Sequence, residues 1–288
     1  MALIKEMQFI STPDNIQLYM TSWMEEEARG AVLIVHGIGE HSARYLHVVA
    51  ALNVRGYSVF TYDQRGHGKS GGPRLELEEP TLLPDDLGLV HQVVAESTFG
   101  LPLFIYGHSM GSLVTLAYAE DHQDSLAGLI LSGAPTNIDA RFSPAVVFAN
   151  RVANRFVPKM KTLELVDTKA LSRDPAVVRV YEQDPLNYHG RVPVRTNNSL
   201  MDMLNTTRDR LSELTLPLLL LHGEADTVCP PSGSVRIHQE AASEDKTLIL
   251  YPDLYHEIHN EPQQVTVIRD ILDWLDSHTE ETDHNASV

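Results

Sequence analysis

The chain has 288 residues, of which 43% are hydrophobic and 21% charged, and its formal net charge at pH 7 is −17. This length and apolar content fit one α/β domain with a large core. The excess of negative charge argues against nucleic acid as a partner, and we find no basic nucleic-acid-binding motif.

The cellular compartment can be predicted from cysteine content and from hydrophobic runs. The single cysteine, Cys229, excludes an internal disulfide and fits a reducing compartment. The first residues lack the basic start, apolar stretch and cleavage site of a signal peptide. No run approaches the roughly 18 apolar residues of a membrane span. We expect a cytoplasmic protein, with peripheral membrane contact left open.

The first half of the chain begins with two alternating segments around a turn at 13–15, which predict an antiparallel hairpin at a sheet edge. Strands and helices then alternate. Up to residue 132 we predict strands at 6–10, 17–23, 31–36, 57–62, 103–106 and 126–132, and helices at 42–53, 80–96 and 109–122.

The second half of the chain resumes this alternation only after an interruption. Continuous apolar runs such as 32–35 and 216–221 indicate strands buried on both faces of a parallel sheet. Strands are predicted at 216–222 and 247–251, and helices at 232–242 and 262–278. The irregular, proline-broken segment between them would lie at the carboxyl ends of the strands, where such sheets bind ligands. We predict a core of 1–133 and 215–280, a cap of 134–214 and a disordered tail of 281–288.

The five residues 107–111 read Gly-His-Ser-Met-Gly and lie between a predicted strand and a predicted helix. This context is typical of the sharp strand–turn–helix elbow that exposes a nucleophilic serine, here Ser109. A serine hydroxyl needs a histidine to accept its proton and a carboxylate to orient that histidine. The motif therefore predicts two partners further along the chain.

The partners of such an elbow follow in the order Asp, then His. Asp226 comes just after one buried strand, and His256 comes just after the last strand. Two competitors lie close in sequence: His259, three residues beyond His256, and Asp253, three residues before it. We predict Ser109, Asp226 and His256 as the catalytic residues.

The oxyanion of an acyl-transfer intermediate needs two backbone N–H donors. One should come from Met110, the residue after the nucleophile. The other should come from the glycine-rich loop 36–41, in which we choose Ile38. The alternative is that this loop is a βα turn without a catalytic role.

Several motifs together identify a family. They are His-Gly-Ile-Gly-Glu-His-Ser-Ala-Arg-Tyr (36–45), Tyr-Asp-Gln-Arg-Gly-His-Gly-Lys-Ser (62–70), the elbow (107–111), His-Gly-Glu-Ala-Asp-Thr-Val-Cys (222–229) and Tyr-Pro-Asp-Leu-Tyr-His-Glu-Ile-His-Asn-Glu (251–261). With them the chain resembles the monoacylglycerol lipase and lysophospholipase branch of the α/β-hydrolases. The resemblance implies an α/β-hydrolase fold: a mostly parallel eight-stranded sheet flanked by helices, with a helical cap inserted after the sixth strand.

The same resemblance implies the triad and oxyanion donors named above, no metal or organic cofactor, and a mobile cap over a tunnel for an acyl chain. Cys229 matches a family cysteine and would line the pocket, although a plain buried cysteine is an equal alternative. The substrate implied is a lipid ester. We predict hydrolysis of monoacylglycerols, with a lysophospholipase or general carboxylesterase as alternatives. An acyltransferase or a ligand-sensing receptor on the same fold is disfavoured, and the oligomeric state is left open.

The predicted cap has an unusual charge pattern. Residues 140–163 contain no acidic residue but five cations, Arg141, Arg151, Arg155, Lys159 and Lys161. Phe148, Val152 and Phe156 recur every four residues and would form one stripe of a helix. Either the stripe contacts lipid or the substrate entrance, with the cations meeting anionic headgroups, or it packs on the core and the cations are solvated.

Overall fold

The computed structural model describes residues 4–138, 143–164 and 166–285. Its strands are β1 (Ile4–Ser11), β2 (Gln17–Met24), β3 (Gly30–Val35), β4 (Tyr57–Tyr62), β5 (Leu103–His108), β6 (Gly128–Ser132), β7 (Lys161–Glu164), β8 (Arg191–Pro193), β9 (Leu218–Gly223) and β10 (Lys246–Tyr251). The α-helices are α1 (Leu46–Val54), α2 (Leu82–Thr98), α3 (Met110–Ala119), α4 (Pro144–Phe156), α5 (Pro175–Gln183), α6 (Val194–Asp209), α7 (Ser232–Glu240) and α8 (Gln264–Asn285).

Within these described residues, eight strands form the main sheet in the order β1-β2-β4-β3-β5-β6-β9-β10. Strand β2 is antiparallel to both β1 and β4, whereas the other neighbouring strands run parallel. This confirms the prediction of a mostly parallel eight-stranded sheet with a hairpin at one edge. No helix in the described ranges is long and apolar enough to cross a bilayer.

The core lies on both faces of this sheet, as the period-two geometry of a strand requires. In β3, Leu33 and Val35 pack with α2 and α3, while Val32 and Ile34 pack with α1 and α8. All four side chains are buried, and each such burial contributes about 1.5–3 kcal/mol to folding. Because both faces are covered, the strands read as continuous apolar runs in the sequence.

The sheet also determines where a site can form. Strand β3 pairs with β4 on one side and with β5 on the other, so the strand order reverses there. The chain therefore leaves the carboxyl ends of β3 and β5 in opposite directions, and a crevice opens between the two loops. The glycine-rich loop and the Ser109 elbow are those two loops.

The segment between β6 and β9, which we call the insertion, contains α4, α5 and α6. It confirms the expected cap after the sixth strand, but it also contains an antiparallel pair of strands, β7 and β8. These strands have four and three residues, too few for a period of two to be visible in the sequence. The division into a core of 1–133 and 215–280 and a cap of 134–214 stays a prediction.

Helix α8 is described as far as Asn285, and the disordered tail of 281–288 stays a prediction. Near the carboxyl end of this helix, Thr279 is buried and its hydroxyl lies 3.1 Å from that of Tyr57. Residues 286–288 lie outside the described ranges.

Candidate active site

Ser109 lies at the turn between β5 and α3 with φ 53° and ψ −121°. A non-glycine residue with positive φ is strained. The turn can be this tight because the residues two before and two after Ser109 are glycines. A Cβ atom on Gly107 would come within 2.6 Å of the Gly111 carbonyl, and one on Gly111 within 2.1 Å of the Val35 carbonyl. The Ser109 amide donates to the Ser132 carbonyl at 2.8 Å, which ties the turn to β6.

Asp226 and His256 follow β9 and β10 and meet at the carboxyl edge of the sheet. The His256 Nδ1 and Asp226 Oδ2 atoms are 2.7 Å apart, and both side chains are buried. The other carboxylate oxygen, Oδ1, accepts the amides of Val228 at 2.7 Å and Cys229 at 3.0 Å. The His222 Nε2 atom lies 3.1 Å from Oδ2. The carboxylate is thus surrounded by four donors.

These contacts control the protonation of the pair. Burial alone would raise the pKa of Asp226, but the charge of His256 and the hydrogen bonds from both histidines hold it well below its ordinary value. Burial alone would lower the pKa of His256, but the charge and hydrogen bond of Asp226 raise it above its ordinary value. The result is an ionised carboxylate that favours the imidazolium, as a general base in acyl transfer requires.

Ser109 and His256 line one cavity of about 170 Å³, together with Ile38 and Met110. The Gly37 amide donates to Glu40 at 2.6 Å, so the next amide along that loop belongs to Ile38. Met110 is the first residue of α3, where an N–H group has no acceptor inside the helix and the dipole favours negative charge. Ile38 and Met110, the two residues predicted to bind the oxyanion, therefore both line the cavity that holds Ser109.

Most of the cavity wall is apolar, and the insertion supplies much of it. Val192 of β8 and Leu200, Met201 and Leu204 of α6 line it, and Cys229 lies in the wall on the sheet side. The contribution of α6 to the cavity wall was not predicted. Its signal was weak, because these apolar residues are embedded in a run of Asn, Thr and Asp residues.

One end of the cavity is polar. Arg44 donates to Glu40 at 2.5 Å and makes two bonds of 2.6 Å to Glu257, and Tyr45 donates to Glu40 at 2.7 Å. Burial alone would raise the pKa of Glu40, but Arg44, together with His108, His36 and the hydrogen bond from Tyr45, lowers this pKa to about 2. Glu40 and Glu257 both line the cavity. Glu40, Arg44, Tyr45 and Glu257 all lie in the motifs at 36–45 and 251–261, but no role was predicted for them individually.

His108, the residue before the nucleophile, also lines the cavity. Its Nδ1 atom lies 3.2 Å from the Ser132 hydroxyl, while its buried Nε2 atom has no hydrogen-bond partner. Burial and the nearby His256 lower the pKa of His108 to about 3. His108 is therefore a neutral imidazole that adds polar character beside Ser109 without adding charge.

The two sequence competitors are placed away from Asp226. His259 is fully buried, its ring is stacked on Tyr45 at 4.7 Å, and its Nδ1 atom lies 3.3 Å from the Tyr106 hydroxyl. Asp253 is exposed at a turn with φ 64°. The histidine that contacts Asp226 from the last strand's loop is His256.

The α4 stripe does not line the cavity around Ser109. Its exposed fractions are 69% for Phe148, 44% for Val152 and 73% for Phe156, so the alternative that it packs on the core is wrong. A second cavity, of about 290 Å³, lies between α4 and α6 and shares Asn197 and Met201 with the first. Arg141, one of the five cap cations, lies outside the described residues.

The sheet, the strained serine elbow and the buried aspartate–histidine pair define a serine hydrolase of the α/β-hydrolase fold. The family described as Serine aminopeptidase, S33 (Hydrolase_4) matches residues 26–263. The chain is 36% identical to the monoacylglycerol lipase of Mycolicibacterium smegmatis over 92% of this chain and 94% of that relative. It is 30% identical to the human monoglyceride lipase over 96% of this chain and 92% of that relative.

Solved structures agree with these relatives. The crystal structure of Paleococcus ferrophilus monoacylglycerol lipase superposes with a TM-score of 0.79 at 31% identity, covering 96% of this chain and all of that one. A soluble variant of the Saccharomyces cerevisiae monoglyceride lipase, solved with a substrate analogue, gives a TM-score of 0.83 at 27% identity over 96% of both chains. The chain therefore belongs to this serine hydrolase family, in its monoacylglycerol lipase branch, and the resemblance found in the sequence is confirmed.

Proposed function

We propose that this chain hydrolyses monoacylglycerols to a fatty acid and glycerol, with Ser109 as nucleophile, His256 as general base and Asp226 as its orienting carboxylate. The observation that carries the proposal is the two-sided cavity around Ser109. One wall is apolar and comes from α6 and β8, and the other end carries Glu40, Glu257 and His108. An ester with a long acyl chain and a small polyhydroxy alcohol matches both sides.

The proposed reaction has two acyl transfers. His256 takes the Ser109 proton as the hydroxyl attacks the ester carbonyl, and the imidazolium is stabilised by Asp226. The oxyanion is held by the amides of Ile38 and Met110. His256 then protonates the leaving alcohol, and a water molecule repeats the cycle on the acyl-enzyme.

Charge at the polar end favours a glyceride over a lysophospholipid. Glu40 and Glu257 are two carboxyl groups with one guanidinium, Arg44, between them, so acidic side chains outnumber basic ones in this group. Buried negative charge repels a phosphate and accepts hydrogen bonds from hydroxyl groups. A lysophospholipase remains the second candidate, because the apolar wall would accept its acyl chain equally well.

We also propose that α4 contacts lipid surfaces, in a protein located in the cytoplasm. The exposed stripe of Phe148, Val152 and Phe156 supports this, because an apolar helical face beside basic residues is typical of interfacial binding. Arg151 and Lys159 are largely exposed beside it. Substrate arriving from a membrane would then meet the insertion, whose α6 lines the cavity of Ser109.

The test is fatty acid release from a monoacylglycerol and from the lysophosphatidylcholine of the same acyl chain, with Ser109→Ala as control. We expect rapid release from the glyceride, little from the phospholipid, and none from either with the variant. Preference for the phospholipid would transfer the assignment to a lysophospholipase. Absence of hydrolysis, with short-chain esters also untouched, would favour the acyltransferase or receptor alternatives.

A further inference from the structure

His222 is a polar side chain in a strand that is otherwise built of leucine. It is fully buried in β9, where it follows four leucines and pairs in register with Leu250 of β10. Burying an imidazole without hydrogen bonds is costly, and both of its nitrogens are engaged. Nδ1 lies 2.7 Å from the Ser234 hydroxyl of α7, and Nε2 lies 3.1 Å from Asp226 Oδ2 and 3.0 Å from the Cys229 carbonyl.

These partners determine which nitrogen of His222 carries the proton. Nε2 faces a carboxylate and a carbonyl, which can only accept, so Nε2 must be the donor. In the neutral ring Nδ1 is then an acceptor, and the Ser234 hydroxyl can donate to it. Ser234 therefore favours the tautomer that presents a hydrogen to Asp226.

We propose that His222 is a positioning residue of the triad, holding the Asp226 oxygen that binds His256. The proposal rests on the proposed function, in which Asp226 orients His256. The Oδ2 atom receives Nδ1 of His256 at 2.7 Å and Nε2 of His222 at 3.1 Å, while Oδ1 receives two backbone amides. Without His222, Oδ2 has His256 as its sole side-chain donor among the described residues, and the carboxylate loses one of four restraints.

The donor also adjusts the basicity of the pair. A hydrogen bond from His222 withdraws negative charge from Oδ2, which limits how strongly Asp226 stabilises the imidazolium of His256. When the donor is removed, the pKa of His256 should rise further. Because His256 must be neutral to accept the serine proton, the acid limb of kcat/KM should then move to higher pH.

Two amide substitutions separate the positioning role from packing. The amide of His222→Asn ends near the place of Nδ1, so it can reach Ser234 but not Asp226. The amide of His222→Gln extends to the place of Nε2 and can still donate to Asp226. We expect the Asn variant to lose about 10-fold to 100-fold in kcat, less than the roughly 10⁴-fold cost of changing the triad carboxylate to an amide, with an unchanged KM and an acid limb at higher pH.

We expect His222→Gln to keep most of kcat and the wild-type acid limb, and Ser234→Ala to shift the limb as the Asn variant does, but less. The matched control is His91→Asn. His91 is also buried and its Nδ1 atom bonds a hydroxyl, that of Tyr118 at 2.6 Å, but it lies in α2 outside the site. The His91→Asn substitution should leave the pH profile unchanged. Thermal unfolding of each variant measures the fraction that is folded.

The proposal is overturned if the Asn variant keeps the wild-type kcat and acid limb, or if the Asn and Gln variants lose kcat equally with no shift of the limb. Where His222→Asn does not fold, an unmoved limb in Ser234→Ala overturns it. The assays use a short-chain nitrophenyl ester, so that they do not depend on the lipid. Turnover that survives Ser109→Ala would mean that the proposed triad has failed, whereas Ser109-dependent turnover that ignores His222→Asn would mean that the positioning role alone has failed.

Discussion

The loops at the carboxyl edge of the sheet and the insertion meet at one cavity but are built differently. The loops hold buried polar groups at hydrogen-bond distance, such as Asp226 with four donors. The insertion contributes apolar side chains, buried in α6 and exposed in α4. The function of the loops therefore depends on single hydrogen-bonding atoms, whereas that of the insertion depends on the shape and area of its apolar surface. Substitutions in the two regions should therefore have effects of different size and kind.

The largest effect is expected from Ser109→Ala. Removing the nucleophile leaves only binding and the oxyanion amides, so kcat should fall by about 10⁶-fold. Binding of the protein to lipid vesicles should not change, because none of the described α4 residues lines the cavity that holds Ser109. Steady-state hydrolysis and vesicle co-sedimentation measure the two quantities. A parallel loss of vesicle binding would mean that the site and the α4 stripe are not separable.

The next effect is expected from Asp226→Asn. An amide supports the wrong tautomer of His256, so kcat should fall by about 10⁴-fold. Asp226 also raises the pKa of His256. Its neutralisation should lower that pKa, so the residual activity should persist to lower pH than in the wild type. A kcat/KM profile between pH 5 and pH 9 measures this, and an acid limb that does not move would contradict the role of Asp226.

Substitutions at the polar end of the cavity should lower the stability of the fold as well as the activity. Arg44→Met leaves Glu40 and Glu257 buried without their cation, and breaking such a pair costs about 3–5 kcal/mol of unfolding free energy. Without this cation, burial should raise the pKa of Glu40 above its unfolded value. A raised pKa stabilises the fold at low pH and removes that stability as the pH rises. Denaturant titrations should thus show a deficit that shrinks toward pH 5, and a pH-independent deficit would contradict this.

The contrast also explains what could be predicted from sequence. Ser109, Asp226 and His256 stand in contiguous motifs directly after strands, and buried strands are visible as apolar runs. The Glu40–Arg44–Glu257 group joins residues that are more than 200 positions apart, as the 213-residue separation of Arg44 and Glu257 shows. No sequence pattern near any of the three residues indicates this contact. Whether they meet depends on how the whole sheet aligns the loops that carry them.

The two insertion helices show the limit of periodicity. Phe148, Val152 and Phe156 form a clear stripe in the sequence, yet in the structure they are exposed. Leu200, Met201 and Leu204 form a weaker pattern, yet they line the cavity of Ser109. A period of 3.6 shows that a helix has an apolar face, but whether this face meets the core, a substrate or a membrane depends on tertiary packing.

The helix α6 should control acyl-chain length. Asn197 and Met201 line both the catalytic cavity and the cavity beneath α4. We expect Met201→Trp to fill the space between the two cavities and to lower kcat/KM for long-chain glycerides by about 30-fold relative to short-chain esters. Met201→Ala should shift the preference toward longer chains. A series of glycerides from C4 to C18 measures both, and equal losses at all lengths would indicate that the acyl chain does not pass Met201.

The smallest effect is expected from the exposed α4 stripe. Phe148→Ser with Phe156→Ser removes two exposed aromatic side chains, and inserting even one into lipid contributes about 1.5–3 kcal/mol. Vesicle binding, and hydrolysis of glyceride presented in vesicles, should fall by about 10-fold, while hydrolysis of a water-soluble ester stays unchanged. Val265→Ser, which removes an apolar side chain that is 78% exposed on α8, is the matched control. Equal losses of hydrolysis on the vesicle glyceride and on the water-soluble ester would show that α4 stabilises the catalytic cavity instead of binding lipid. In that case α4 and α6 would not differ in function as proposed.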